Sequence, residues 1–91
     1  VLYLPSEGFD GFQARIRAWF DNRGISSAGV PLHMGAFAIV LNNKADFAEL
    51  ESELYEMRPK PKLIVIDTLT GMTSGIDQNS ARDMAAFAET C

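Results

Sequence analysis

The sequence holds few of the residues on which disulfide frameworks and zinc sites depend. Cys91 is its single cysteine and His33 its single histidine. One cysteine allows no internal disulfide, and His33 has too few partners for a zinc site, so we expect it to be an ordinary strand or loop residue. A chain with so little cysteine fits a reducing compartment, and the cytoplasm is the default expectation.

Positive charge and long apolar runs are also scarce. Eight lysines and arginines stand against twelve acidic residues, which gives a formal net charge of −4. This charge offers no general electrostatic attraction to nucleic acid or to an anionic membrane. No apolar run approaches the roughly 20 residues that span a bilayer. The hydrophobic content of 47% is nevertheless that of a folded chain, and 91 residues suffice for one small domain.

Short apolar runs are the clearest structural signal in the sequence. Residues 63–66 form an unbroken apolar run, typical of a strand buried on both faces in a parallel sheet. Residues 1–4 form a second such run. Between them, residues 30–34 and residues 36–41 compete for the remaining strand, and the second segment has the better strand composition.

Three segments between and after these runs have the spacing of a helical face. Their apolar members are Phe12, Ile16, Trp19 and Phe20 in the first, Phe47, Leu50, Leu54 and Met57 in the second, and Met84, Phe87, Ala88 and Cys91 in the third. We expect these faces, including the aromatic stripe of the first, to pack against the sheet rather than to stack on nucleic-acid bases. The expected N-caps are Asp10 for the first helix, Asn42 or Asn43 for the second, and Asn79 or Ser80 for the third. Gly24 is the expected stop of the first helix.

Strands that alternate with helices predict an α/β fold. Such alternation gives βαβ units with right-handed crossovers, so we expect a mainly parallel sheet of about three strands.

Two carboxylates follow predicted strands. Asp67 directly ends the 63–66 run, and Glu7 follows the first strand after Pro5 and Ser6. Because ligands of parallel sheets bind beyond the carboxyl ends of the strands, both side chains lie where a ligand is expected. By itself, an aspartate after an apolar strand is as compatible with a loop or capping residue as with a site. Its pairing with Glu7 favours the site.

Magnesium is the metal that suits such a pair. It prefers oxygen ligands, keeps several waters, and is often held by one or two carboxylates plus substrate phosphates. We therefore expect Asp67 to hold Mg²⁺, Thr68 to relay hydrogen bonds to the metal waters, and Glu7 to orient or deprotonate an attacking water.

Four blocks of the sequence together resemble a known family. The blocks are LYLPSEG at 2–8, RIRAW at 15–19, LIVIDTL at 63–69 and DQNSARDM at 77–84. Their order and spacing resemble the central part of RepA-like AAA-family ATPases, which belong to the RecA-type P-loop superfamily. The resemblance covers nearly the whole chain. It implies a RecA-like three-layer core, ATP and Mg²⁺ as cofactors, a hexameric ring and, as in plasmid members, DNA helicase activity.

The resemblance also implies roles for single residues. Glu7 matches the catalytic glutamate, Asp67 the Walker B aspartate that holds Mg²⁺ through water, and Thr68 the hydroxyl residue that follows it at the nucleotide. Asp77 and Asn79 fall in a family motif near the nucleotide or a neighbouring subunit, without an assigned role. Gln78 stands where many members have glutamate.

One family motif is missing from the sequence. No Gly-x-x-x-x-Gly-Lys-[Ser/Thr] phosphate loop is present. In the family this Walker A loop precedes the Glu7 strand, and a sensor strand and an arginine finger follow later. We therefore expect residues 1–91 to be an internal fragment of a single RecA-like ATPase domain, inactive by itself.

Two other function classes remain open on the sequence. In a topoisomerase–primase type domain, a strand-end Glu-Gly pairs with a later Asp-x-Asp for nucleotidyl transfer. Glu7 and Gly8 fit that pattern, but residues 67–69 lack the second aspartate. The third class is a non-catalytic α/β interaction domain, in which Glu7 and Asp67 have no chemical role.

Overall fold

Strands and helices alternate along the chain in a computed structural model, which describes residues 1–36, 39–77 and 79–90, without the side chain of residue 90. The elements in order are β1 (Leu2–Pro5), α1 (Phe9–Arg23), β2 (His33–Met34), α2 (Lys44–Glu56), β3 (Ile64–Asp67), a 3-10 turn (Thr70–Met72) and α3 (Ala81–Thr90). None of the helices in these ranges is long and apolar enough to cross a membrane.

The three strands form one parallel sheet in the order β2-β1-β3. Leu2 pairs with His33 on one side and with Ile64 on the other, and Pro5 pairs with Asp67 at the far end. The predicted α/β class, with about three parallel strands alternating with helices, is confirmed, and it is consistent with a partial RecA-like fold.

The strand between α1 and α2 is not the segment that composition favoured. The structure forms β2 at His33–Met34, whereas the described residues of 36–41 form no strand, and Phe37 and Ala38 lie outside the described residues. Leu41 is only 1% exposed, and its N–H donates to a carbonyl oxygen of the 3-10 turn 2.7 Å away. The apolar composition of this segment therefore reflects a buried loop, since a loop can fill a core without pairing in the sheet.

The core lies on the sheet face that α2 and α3 cover. Leu2 and Leu4 project from β1 to this face and are 3% and 0% exposed. The buried cluster comprises Leu2, Leu4, Ile39, Leu41, Leu50, Met72 and Phe87, with Phe47, Leu54, Met57, Ile66, Leu69 and Ile76 packed against it. The predicted apolar face of α2 is confirmed. Phe87 anchors α3 as expected, whereas Ala88 is exposed and Cys91 lies outside the described residues.

Helix α1 lies on the opposite face of the sheet. The ring of Phe12 stacks on that of Tyr3, with centroids 4.8 Å apart and planes 8° from parallel. No residue of α1 is buried, however, and Trp19 is 51% exposed, so the expectation that Trp19 packs in the core is wrong. The indole of Trp19 instead packs edge-on against the ring of Phe20, with centroids 5.2 Å apart, and the guanidinium carbon of Arg23 lies 4.7 Å from the centroid of the Trp19 ring.

Strand β3 is less buried than its unbroken apolar run predicted. Leu63 and Ile64 are 56% and 38% exposed, whereas Ile66 packs against the core. The reason is position, because β3 is an edge strand of the described sheet and only part of it lies over the core.

The helix ends follow the sequence signals with one exception. Helix α1 begins after Gly8, which has φ of 66°, so Asp10 lies in the first turn and is not the N-cap. Asn43 caps α2 by accepting from two backbone N–H groups at 2.9 and 3.3 Å. Gly24, with φ of 62°, ends α1 as predicted. The Oγ of Ser80 accepts a 3.3 Å bond from the backbone N–H three residues later, as expected for a capping residue.

Candidate functional site

The carboxyl ends of β1 and β3 meet at one open cleft. The pairing of Pro5 with Asp67 aligns these two ends. Glu7, Asp67 and Thr68 all line the cleft, which encloses about 390 Å³. The remaining lining residues are Pro5, Ser6, Gly8, Phe12 and Arg15. The structure therefore brings together all three residues that the sequence nominated for a nucleotide and metal site.

The carboxylate of Asp67 has a hydrogen-bond donor in the neighbouring strand. The hydroxyl of Tyr3 donates to its Oδ2. The pKa of Tyr3 is raised above its ordinary value of 10.0, mainly by this hydrogen bond and to a lesser extent by desolvation and by the negative charge of Asp67. The positive charge of Arg15 acts to lower the pKa of Tyr3. At neutral pH the hydroxyl therefore keeps its proton and serves Asp67 as a donor.

The backbone on either side of the carboxylate is tied to the end of β1. The N–H of Ser6 donates to the carbonyl oxygen of Asp67 at 2.6 Å, and the Oγ of Ser6 accepts from the N–H of Thr68 at 3.0 Å. The peptide bond between Asp67 and Thr68 is cis. The Oγ1 of Thr68 accepts from the N–H of Gly71 at 3.2 Å. The three hydrogen bonds fix the path of the chain as it leaves β3.

Gly71 is in close contact with the end of β1. A Cβ atom added at Gly71 would lie 2.3 Å from the Oγ and 2.5 Å from the Cβ of Ser6. Real Cβ atoms do not approach other atoms so closely, so the bond between Ser6 and Thr68 requires glycine at position 71.

Arg15 supplies positive charge to the cleft wall. Its guanidinium carbon lies 5.6 Å from the ring centroid of Phe12, a cation–π distance. Arg15, Tyr3 and Ser6 were not predicted as site residues. The alternation of β1 contained a signal for Tyr3, because a residue between Leu2 and Leu4 must face away from the core.

Asp77 and Asn79 form a local turn and do not line the cleft of Glu7 and Asp67. The Oδ1 of Asp77 accepts from the N–H of Asn79 at 2.9 Å, and the N–H of Asp77 donates to Oδ2 of Asp83 at 3.1 Å. These bonds order the entry into α3. Gln78 lies outside the described residues.

The donor set of the cleft fits magnesium rather than a metal held by protein ligands alone. Among residues 1–36, 39–77 and 79–90, no group of three or more His, Cys, Asp or Glu side chains is placed to hold a metal ion. Glu7 and Asp67 nevertheless match the one or two carboxylates with which proteins hold Mg²⁺ when waters and substrate phosphates complete the coordination.

The fold and the cleft define an α/β domain with two carboxylate side chains at the carboxyl ends of adjacent parallel strands, where ligands of such sheets bind. A protein-family model described as AAA domain matches residues 1–91. The chain therefore belongs to the AAA domain family of P-loop ATPases, and this membership indicates ATP binding and ATPase activity in general. A search of curated proteins and a search of solved structures each found no match.

Proposed function

We propose that the protein is a Mg²⁺-dependent ATPase of the RepA-like, RecA-type class, with Glu7, Asp67 and Thr68 at its nucleotide site. The observation that carries this proposal is the position of Glu7 and Asp67 at the ends of adjacent parallel strands, where they line one cleft. Membership of the AAA domain family supports the same reaction class.

The proposed roles follow from the chemistry of each side chain. When bound, ATP would supply the phosphoryl group and Mg²⁺ would neutralise much of the charge on its phosphates. Asp67 accepts hydrogen bonds from metal-bound water through the oxygen that Tyr3 does not engage. Glu7 orients the attacking water and takes its proton. Thr68 hydrogen-bonds near the nucleotide through its hydroxyl, whose oxygen already accepts from Gly71.

We further propose that residues 1–91 are part of a single RecA-like ATPase domain in a longer protein. A P-loop ATPase needs backbone amides and a lysine around the phosphates, and this sequence contains no such loop. Sequence upstream of Glu7 in the intact protein is therefore expected to hold a Walker A motif, and downstream sequence a sensor and an arginine finger. If an intact protein carried no Walker A motif upstream, the proposal would be wrong.

The work done with ATP is proposed to concern DNA, as in a hexameric helicase of the cytoplasm. The resemblance of the four sequence blocks to RepA-like ATPases supports this assignment. The net charge of −4 gives it no support, so any DNA contact must come from a local surface. Stimulation of ATP hydrolysis by single-stranded DNA, together with a hexameric mass, is the expected result for the intact protein.

Substitutions of the two carboxylates test the site. In the intact protein, Glu7→Gln is expected to lower kcat by about 10²–10⁴-fold, the usual contribution of a positioned general base. Asp67→Asn is expected to weaken Mg²⁺ binding and so to raise the Mg²⁺ concentration at which hydrolysis is half-maximal. Glu49→Gln removes a charge from an exposed position on α2 and is the matched control. Unchanged hydrolysis in both site variants would favour a non-catalytic interaction domain.

A further inference from the structure

Tyr3 contacts the proposed metal-binding carboxylate across the sheet. Its hydroxyl donates to Oδ2 of Asp67, although the two residues are 64 positions apart in the sequence. The register explains the contact, because Tyr3 pairs with Val65 and Pro5 pairs with Asp67. Side chains two positions apart share a face of a sheet. The bond therefore exists only when β1 and β3 pair in this register.

The position of the Tyr3 hydroxyl is fixed by the packing of its ring. The ring of Phe12 in α1 stacks on it, with centroids 4.8 Å apart and an angle of 8° between planes. Arg15 in turn lies 5.6 Å from the centroid of Phe12. A stacked ring on a central strand has little freedom to move, so the hydroxyl restrains the carboxylate more than the carboxylate restrains the hydroxyl.

We propose that Tyr3 is a positioning residue for Asp67: its hydroxyl holds Oδ2 and leaves Oδ1 to accept from the water of a bound magnesium ion. This inference rests on the proposed function. A carboxylate with one oxygen engaged is already ordered before the metal binds, so less freedom is lost on binding. Outer-shell hydrogen bonds of this kind contribute about 10–100-fold to metal affinity. Since Asp67 acts through water, we expect an effect near 10-fold, the lower end of that range.

Tyr3→Phe in the intact protein is the direct test, because it removes one hydroxyl and keeps the stacked ring. The readout is the affinity for Mn²⁺, measured from the paramagnetic resonance signal of the free ion in the presence of a non-hydrolysable ATP analogue. Tyr3→Phe is expected to weaken Mn²⁺ binding about 10-fold. Affinity for the analogue without divalent cation is expected to stay unchanged. Excess Mg²⁺ is expected to restore kcat, which it would not do if the variant had simply lost structure.

Matched variants separate this role from other effects. Tyr55→Phe makes the same chemical change at an exposed tyrosine of α2 and is expected to leave Mn²⁺ affinity unchanged. Phe12→Leu keeps the Tyr3 hydroxyl but removes the stack, so it is expected to weaken Mn²⁺ binding by a smaller factor. If circular dichroism shows that Tyr3→Phe is unfolded, the Mn²⁺ affinity of Phe12→Leu serves as the test instead.

Asp67→Asn distinguishes the failure of this inference from the failure of the proposed function. If Asp67→Asn weakens Mn²⁺ binding and Tyr3→Phe does not, the positioning role is overturned and the ATPase site stands. If Asp67→Asn leaves Mn²⁺ binding and ATP hydrolysis unchanged, both are overturned.

Discussion

The contact between Gly71 and Ser6 gives a sharp prediction about how the site is held together. Gly71→Ala places a Cβ 2.3 Å from the Oγ and 2.5 Å from the Cβ of Ser6, so Ser6 must move. Overpacking of this kind destabilises by about 1–3 kcal/mol. The hydrogen bond from the N–H of Thr68 to the Oγ of Ser6 is lost as well. Because this bond is exposed, its loss adds only about 0.5 kcal/mol to the destabilisation. We expect the free energy of unfolding to fall by about 1.5–3.5 kcal/mol in total.

Urea denaturation followed by circular dichroism measures this loss. Gly11→Ala is the matched control, because an added Cβ there meets nothing within 4 Å. As an exposed helical position, Gly11 should gain about 0.5–1 kcal/mol on the same substitution. In a Ser6→Gly background the clashing atoms are absent, so the penalty of Gly71→Ala should nearly vanish. A penalty at Gly71 that is the same with and without Ser6→Gly would refute the reasoning.

Three further predictions concern the helices, the core and the tyrosine. Asn43→Ala removes the N-cap of α2 and is expected to lower the free energy of unfolding by about 1 kcal/mol, measured by urea denaturation. Leu4→Ala empties a fully buried position and is expected to lower the free energy of unfolding by about 2–5 kcal/mol. Trp19→Ala changes a half-exposed position and is expected to lower it by only about 1 kcal/mol. Equal losses in the two variants would contradict the observed burial. Because the folded pKa of Tyr3 is raised above 10.0, its hydrogen bond should stabilise the fold fully below about pH 10 and be lost as pH rises through that raised pKa. Asp67→Asn should move the Tyr3 titration back toward pH 10.0, which ultraviolet absorbance of the phenolate reports.

The sheet and the meeting of the two carboxylates were accessible from the sequence. Apolar runs at residues 1–4 and 63–66 identified β1 and β3 because unbroken runs of this length are typical of parallel strands, although β3 lies at the edge of the described sheet. Once both strands were parallel, their carboxyl ends had to lie at one edge, and Glu7 and Asp67 came with them. Their chemical roles stay predictions until they are measured.

The wrong predictions concern segments in which the burial of a residue does not follow from its secondary structure. Strand β2 has two residues, too few to carry any periodic signal, whereas the apolar 36–41 segment contributes Ile39 and Leu41 to the core from a loop. Trp19 has the spacing of a core residue but is 51% exposed on the surface of α1. Sequence periodicity describes a helix by itself and does not show which part of its apolar face another element covers.

The supporting side chains of the site could not be predicted for a different reason. Tyr3 reaches Asp67 across 64 positions, and Ser6 reaches Thr68 across 62. Contacts at such separations depend on which strands are neighbours and on their register, and a single sequence without its structure does not fix either.

The turnover of Glu7→Gln in the intact protein, measured with saturating Mg²⁺–ATP and alongside its ATP affinity, tests the central claim most directly. We predict that kcat falls by at least about 100-fold while the affinity for ATP is retained, because a positioned base acts in the chemical step rather than in binding. Turnover equal to that of the Glu49→Gln control would contradict the assignment of the cleft between β1 and β3 as the ATPase site.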